Sequence, residues 1–282
     1  MTRLIQHADV RDLADEAWLA RLKRSIGEPV QEGASWPGFP EESLQKAFVG
    51  SAYDHALDEA WNFHQLTLEA MERFRRPCRA ARYLDFGCGW GRVGRFFLRE
   101  FERGDMAGVD VDPDMVRFCT DAGVPGHHLL AENGRRLPFT DASFRLVTAY
   151  SVFTHLPEPL FKAWLTELLR ITAKGGLLVF TVEPPRFLDF VAAINPEAPD
   201  SGWHAALHAN LGSLDERRQE LARCGVTYLP TGGGPYRPSE AYGDTVVTPG
   251  FVNAAVGRTG RLRAYVDAPE LFWQAVAIVQ RA

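Results

Sequence analysis

Cysteine is sparse in this chain: Cys78, Cys88, Cys119 and Cys224 are all it has in 282 residues, and no two form a C-x-x-C pair. That spacing excludes a disulfide framework and a zinc ribbon, and it fits a reduced, cytoplasmic chain with no metal site. No apolar run reaches the ~18 residues that a bilayer span needs, so no membrane partner is expected. The first sixteen residues carry Arg3, Asp9, Arg11, Asp12, Asp15 and Glu16, which leaves no room for the apolar core of a signal segment. An excess of basic charge is missing too. Lys and Arg total 31 against 36 Asp and Glu, for a net charge of −5, which argues against a broad nucleic-acid-binding face. The arginines 73, 75, 76, 79 and 82 read instead as a solvated helix end and linker. There is no internal repeat and no long low-complexity tract. What remains is an ordinary globular composition, 46% hydrophobic and 24% charged, with enough length for an α/β core and accessory regions.

The most informative segment is LDFGCGWGR, residues 84–92. An apolar run of strand character (81–86) precedes it, and Val93, Phe96, Phe97 and Phe101 follow at helical spacing. Strand, glycine-rich turn and helix in that order predict a ligand socket with free backbone N–H groups at a helix N-terminus, where Gly87, Gly89 and Gly91 allow close approach.

Alternation continues to residue 182. Strands are predicted at 106–111, 128–131, 145–152 and 177–182, and helices at 113–121 and 159–171, the first with Asp112 as N-cap and Pro113 in its first turn. Strands alternating with helices predict a doubly wound, mostly parallel Rossmann-like sheet. The tail departs from this pattern. Its β-like runs at 261–266 and 274–280 lie too close together for a helical crossover, so they predict an antiparallel return. Four regions result: an N-terminal helical cap (1–80), a nucleotide-cofactor core (81–183), an inserted lid (184–244) and a C-terminal helix and strand pair completing the sheet (245–282). Within the cap, a helix at 54–74 places Leu57, Trp61, His64, Leu68 and Met71 on one stripe.

Several polar residues fall at predicted strand ends, the edge where open α/β sheets bind ligands. Asp85 ends the first strand and can hold the loop. Asp110 ends the second, 25 residues later, where a carboxylate accepts both bonds of a ribose diol. Asn133 and Gly134 follow the third, placed to meet an adenine edge. Tyr150, Ser151 and His155 leave the fourth within YSVFTHL.

With these motifs in place the chain resembles the class I S-adenosylmethionine-dependent methyltransferases, in particular the small-molecule kind of bacterial biosynthetic pathways. LDFGCGWGR, GVDVDPDMV (108–116), LPFTDASF (137–144), YSVFTHL (150–156) and LLRITAKGGLLVFTV (168–182) carry the resemblance. It implies S-adenosyl-L-methionine as cofactor, framed by Asp85, Gly87, Cys88, Gly89 and Gly91. Asp110 would take the ribose hydroxyls, Val111 would lie against adenine, Asn133 and Gly134 would meet its amino edge, and Tyr150 and Ser151 would complete the socket. Two positions depart from the family pattern: Asn133 stands where Asp is usual, and Arg145 follows Ser143-Phe144. The tail is loosely similar to a subgroup that methylates sugars, polysaccharides or secondary metabolites.

Methyl transfer to oxygen or nitrogen of a small acceptor is therefore the expected activity. A general base is required only for an acceptor that is protonated at neutral pH. His155 leads the candidates, followed by His64 and Tyr242, while Tyr53, Glu183, Trp203 and Tyr236 are candidate acceptor-binding groups. His204 and His208, four apart, lack a third ligand in register and predict a surface pair. Two other readings use the same glycines and Asp110: a nicotinamide-dependent oxidoreductase, which requires a sixth parallel strand, and a non-catalytic regulatory protein that binds S-adenosylmethionine.

Overall fold

The computed structural model describes residues 2–282. The chain divides into two compact units, Met1–Glu132 with Ser143–Thr148, and Asn133–Ala142 with Ala149–Ala282.

The first unit opens with three two-residue strands, β1 (Arg3–Leu4), β2 (Val30–Gln31) and β3 (Ala34–Ser35), paired in the order β1-β3-β2. The N-terminal region is thus not purely helical. Helices α1 (Asp15–Arg24), α2 (Glu42–Val49) and α3 (Tyr53–Arg73) follow. The buried face of α3 is Ala56, Leu57, Ala60, Phe63, His64, Thr67 and Ala70, rotated from the predicted stripe so that Trp61, Leu68 and Met71 are only half-buried. Small residues win the inner positions because they let the helix backbone come close to what it covers, whereas long side chains pack along its flanks.

Strands β4 (Arg82–Phe86), β5 (Met106–Asp110), β6 (His127–Leu130) and β7 (Phe144–Ala149) pair in parallel in the order β7-β4-β5-β6. The chain steps outward from β4 to β6 and then returns to the other flank of β4. That reversal makes the carboxyl end of β4 a topological switch point. Between β5 and β6, α4 (Pro113–Asp121) forms as predicted, with the Asp112 carboxylate accepting from the Asp114 N–H. β7 stops three residues short of its predicted end: the chain turns at Ser151, whose φ is +57°.

After the glycine-rich turn no α-helix forms. Residues Gly94–Arg99 make a 3-10 helix instead, with Gly94, Arg95, Phe96, Phe97 and Leu98 all buried. A segment buried on every side takes its geometry from its surroundings and not from an amphipathic period. Tyr83, Phe97 and Phe101 stack within 4.4–6.4 Å of one another there.

The second unit contains α5 (Glu158–Ile171) running directly into β8 (Thr172–Val182), then α6 (Phe187–Ala193), α7 (Gly202–Leu211), α8 (Leu214–Cys224), β9 (Val226–Leu229), β10 (Asp244–Val247), α9 (Pro249–Val256), β11 (Gly260–Val266) and β12 (Ala275–Arg281). The expected tail pair is antiparallel: β11 pairs with β12, and β12 in turn pairs antiparallel with β8. After β8, Phe187, Leu188 and Val191 of α6 share a core with Leu207, Leu211, Leu221, Leu229 and Val246, the last lying beyond the predicted lid boundary at 244. β9 and β10 form a two-stranded antiparallel sheet beside it.

Among the described residues no helix is long and apolar enough to cross a membrane, and no group of three His, Cys, Asp or Glu side chains converges as a metal site.

Candidate functional site

In the first unit, the turn after β4 and the end of β5 are joined by hydrogen bonds. The Gly89 N–H donates to Asp110 Oδ2 (2.8 Å), and the Asp112 N–H donates to Oδ1 (2.9 Å). These two bonds fix the carboxylate at the end of β5, beside the glycine-rich turn. Gly89 has φ +49°, and a Cβ built on it would meet only Phe48, at 3.8 Å, which leaves that side of the backbone open to a ligand. Gly91 does a different job: at φ +78°, a Cβ there would overlap the Val124 side chain. Val111, next to Asp110, is half-buried.

The expected set of free loop amides is corrected by the structure. Gly87 and Cys88 N–H both donate to the Val109 carbonyl (2.8 and 3.0 Å), Gly91 N–H donates to Cys88 O (2.8 Å), and Gly94 N–H donates to Asp85 Oδ2 (2.9 Å). With the Gly87, Cys88, Gly89, Gly91 and Gly94 amides committed and no α-helix behind them, the turn offers close approach more than an anion cradle. Asp85 is buried and works as the pin of this loop. Thr148 Oγ1 also donates to it (3.3 Å), and burial pushes its carboxyl up to about 7, against the pull of the Gly94 and Thr148 bonds. Cys88 is buried, and the Cys119 thiol donates to the Gly89 carbonyl (3.1 Å).

His64 does not reach a site. It is fully enclosed between Trp61, Phe96 and Phe97, and its Nε2–H donates to Glu100 Oε2 (3.0 Å). The bond to Glu100 and the surrounding rings account for its place in the first unit. Tyr53, at the start of α3, is partly exposed, with φ +51° and its N–H given to Gln45 Oε1 (2.9 Å).

In the second unit, His155 is stacked on Tyr242 (centroids 4.3 Å apart, planes at 16°). Its Nδ1 lies 2.8 Å from the Gly243 carbonyl, and the carbonyl only accepts, so Nδ1 carries the proton and Nε2 is the basic nitrogen. Asp244 Oδ1 is 3.7 Å from the same Nδ1. Burial pushes His155 below its ordinary range and keeps the ring neutral, while Asp244 pulls the other way. Asp244 itself is buried and shifted upward by that burial. It accepts from Thr231 Oγ1 (2.5 Å) and from Trp203 Nε1 (3.2 Å).

Glu183 follows β8, and burial followed by the charge of Asp244 pushes its carboxyl up to about 8. Gln274 ties this corner together, with Nε2 donating to Ser151 Oγ (3.0 Å) and to Glu183 Oε1 (3.2 Å). The Ser151 N–H donates to Thr181 Oγ1 (2.6 Å). Asn133 and Gly134 are exposed in the turn after β6, Tyr150 is half-buried and Tyr236 is exposed.

The structure thus gathers Asp85, Gly87, Cys88, Gly89, Gly91, Asp110 and Val111 in the first unit, and Ser151, His155, Glu183, Trp203 and Tyr242 in the second. Sequence reasoning missed Gln274, Asp244, Thr154 and Thr231. Gln274 did leave a signal, as a polar residue immediately before the apolar run 275–279.

Known proteins resemble the chain over part of its length. Residues 84–176 match the family model described as "Methyltransferase domain". A fatty-acid O-methyltransferase of Mycolicibacterium smegmatis is 31% identical over 107 residues, which is 38% of this chain and 38% of that protein. A ribosomal protein L11 methyltransferase of Cupriavidus taiwanensis is 27% identical over 205 residues, 70% of this chain and 65% of that one. The chain therefore spans less than two thirds of either relative. Among solved structures, an S-adenosylmethionine-dependent methyltransferase of Clostridium acetobutylicum aligns with a TM-score of 0.53 at 12% identity, covering 78% of this chain and 91% of that one. The fold is mixed α/β, Rossmann-like and of methyltransferase type. Segment 84–176 is thus similar to a methyltransferase domain.

Proposed function

We propose that the chain is a class I S-adenosyl-L-methionine-dependent methyltransferase acting on oxygen or nitrogen of a small-molecule or sugar-containing biosynthetic intermediate. The observation that carries the reading is the Asp110 carboxylate at the end of β5, tied to the Gly89 N–H beside a backbone left open by glycine. That donor set fits an adenosyl ligand: a carboxylate for the ribose diol and an uncrowded main chain for close approach. We assign Asp85 to holding the loop, Asp110 to the ribose, Val111 to the adenine face, Asn133 and Gly134 to the adenine edge, and Tyr150 and Ser151 to the socket. By function the regions are a cap (1–80), a cofactor core (81–183), an acceptor-binding lid (184–244) and a sheet-completing tail (245–282).

When bound, S-adenosyl-L-methionine supplies an electrophilic methyl group on a sulfonium. The protein's task is to align the acceptor and exclude water, a contribution of ~7–11 kcal/mol. His155 takes the acceptor's proton at Nε2 while Gly243 fixes the ring through Nδ1–H, a role worth ~10²–10⁴-fold. Tyr242 holds the imidazole plane by stacking. Tyr53, Trp203 and Tyr236 are proposed to shape the acceptor's surroundings.

The committed loop amides weigh against a nicotinamide dinucleotide, whose pyrophosphate needs free N–H groups at a helix N-terminus. The antiparallel tail weighs the same way. Calorimetry with S-adenosyl-L-methionine and NAD in parallel tests the cofactor, and NAD binding without sulfonium binding overturns the reading. Transfer of a labelled methyl group to a panel of alcohols, amines and amino sugars tests the activity. Intact cofactor binding with no transfer to any acceptor favours the non-catalytic regulatory protein.

A further inference from the structure

Three polar atoms of the second unit are enclosed and yet bonded to nothing: Glu183 Oε2, Gln274 Oε1 and Thr154 Oγ1. Their residues are 2%, 8% and 0% exposed. Each such atom costs about 1–3 kcal/mol, and folded proteins tolerate few of them without a missing partner. These three sit on neighbouring segments. Gln274 Nε2 donates to Glu183 Oε1 (3.2 Å), and β10 links Thr154 to Glu183 through the main chain: its Thr245 N–H donates to the Thr154 carbonyl (2.6 Å) and its Val247 N–H to the Glu183 carbonyl (3.0 Å).

The chemistry of the missing partner follows from counting hydrogens. Gln274 Oε1 only accepts, Glu183 Oε2 accepts when ionised, and the Thr154 hydroxyl works either way. A carboxylate ligand brings no hydrogen to two acceptors, and an alcohol brings one. A protonated primary amine brings three. Charge points the same way. Glu183 and Asp244 are both buried, and each is shifted upward, as expected of carboxyls that lack a cation. The cation nearest in influence, Arg186, is committed to Asp267 (2.9 Å) and to the Trp273 carbonyl (2.6 Å).

We propose that Glu183, Gln274 and Thr154 form a recognition site for a primary ammonium group, so that the acceptor is an amine and the transfer is an N-methylation. The second half of that statement rests on the methyltransferase reading above. The Glu183 carboxylate then has a chemical task. It accepts a proton from the bound ammonium: an O–H bond forms, an N–H bond breaks and the electron pair stays on nitrogen. The neutral amine that results is the form that transfer to nitrogen requires. For an amine, Glu183 thus takes the proton that an alcohol acceptor would give to His155.

The test is carboxyl ¹³C NMR of the full chain labelled at glutamate, titrated with n-butylammonium and, in parallel, with n-butanol and n-butyrate. Glu183→Gln assigns the Glu183 signal. The expected result is a saturable response to butylammonium alone, with the Glu183 titration midpoint lowered by about one pH unit or more. Thr154→Val and Gln274→Met should each weaken the amine by about tenfold. An equal response to butanol or butyrate overturns the site, and so does no response to butylammonium, the result expected if ordered water alone fills it. Calorimetry of S-adenosylhomocysteine on the same sample separates the two readings. Amine binding without it keeps the ammonium site and sinks the methyltransferase reading. Its binding without amine binding does the reverse.

Discussion

Glu183→Gln makes a stability prediction that is independent of any ligand. The Glu183 carboxyl is buried, with an ordinary value of 4.5 and a folded-state value of about 8, set by burial and then by Asp244, with Gln274 and Arg186 pulling the other way. Below pH 4.5 the folded and unfolded chains both hold the proton. Between the two values the unfolded chain has lost it while the folded chain keeps it, so folding stability declines as pH rises. Integrated across that window, the loss is roughly 4–5 kcal/mol. Glutamine has the same shape and no titration, so its own cost is constant with pH. Asp85, pushed up to about 7, titrates in both proteins and cancels from the comparison. Denaturant unfolding of parent and variant at matched pH should therefore show the variant gaining on the parent by roughly 4 kcal/mol from about pH 5 to about pH 8. A gap that stays within about 1 kcal/mol over that range would refute the reasoning, because it would mean that Glu183 ionises normally in the folded chain.

Other outcomes follow from the same geometry. Asp110→Ala removes the acceptor for the Gly89 and Asp112 amides along with the proposed ribose contact, so S-adenosylhomocysteine should bind roughly 10²-fold more weakly by calorimetry; unchanged affinity would exclude Asp110 from the socket. With an alcohol acceptor, His155→Ala should leave that affinity unchanged and lower turnover by roughly 10²–10⁴-fold. Parent turnover of an alcohol needs the neutral ring, so it should fall as pH drops through a value below 6.5, whereas an amine acceptor should show an acid limb near 8 set by Glu183. Gly91→Ala forces a Cβ into Val124 at positive φ, and should cost roughly 2–5 kcal/mol, measured by urea unfolding and partly restored by pairing it with Val124→Ala.

Local chemistry made much of the frame legible. Asp112-Pro113 announces a helix start because the N-cap carboxylate and the fixed proline φ act within a few residues, and α4 runs over the predicted span. The tail pair is readable for a similar reason: a connection of some eight residues cannot carry a crossover helix. Asp110 is legible from its distance to the glycines, since strand and turn lengths fix where a strand-end carboxylate falls.

Other features depend on atoms distant in sequence. Phe96, Phe97 and Phe101 show helical spacing, but burial on all sides holds their segment as a 3-10 helix. His64 shares its sequence stripe with bulky apolar residues, yet Glu100, 36 positions away, decides that it is a packed histidine. The glycine-rich turn displays its conformational freedom in sequence, while the destination of its amides, Val109 and Asp85, emerges only once β4 and β5 are paired. The corner of Ser151, Glu183 and Gln274 is assembled from residues up to 123 positions apart, so no periodicity or spacing marks it. Short-range stereochemistry and hydrophobic period therefore determined the elements and the cofactor half of the proposal. Burial decided the rest, because a side chain's protonation and free hydrogen-bonding capacity are set by what the folded chain places around it.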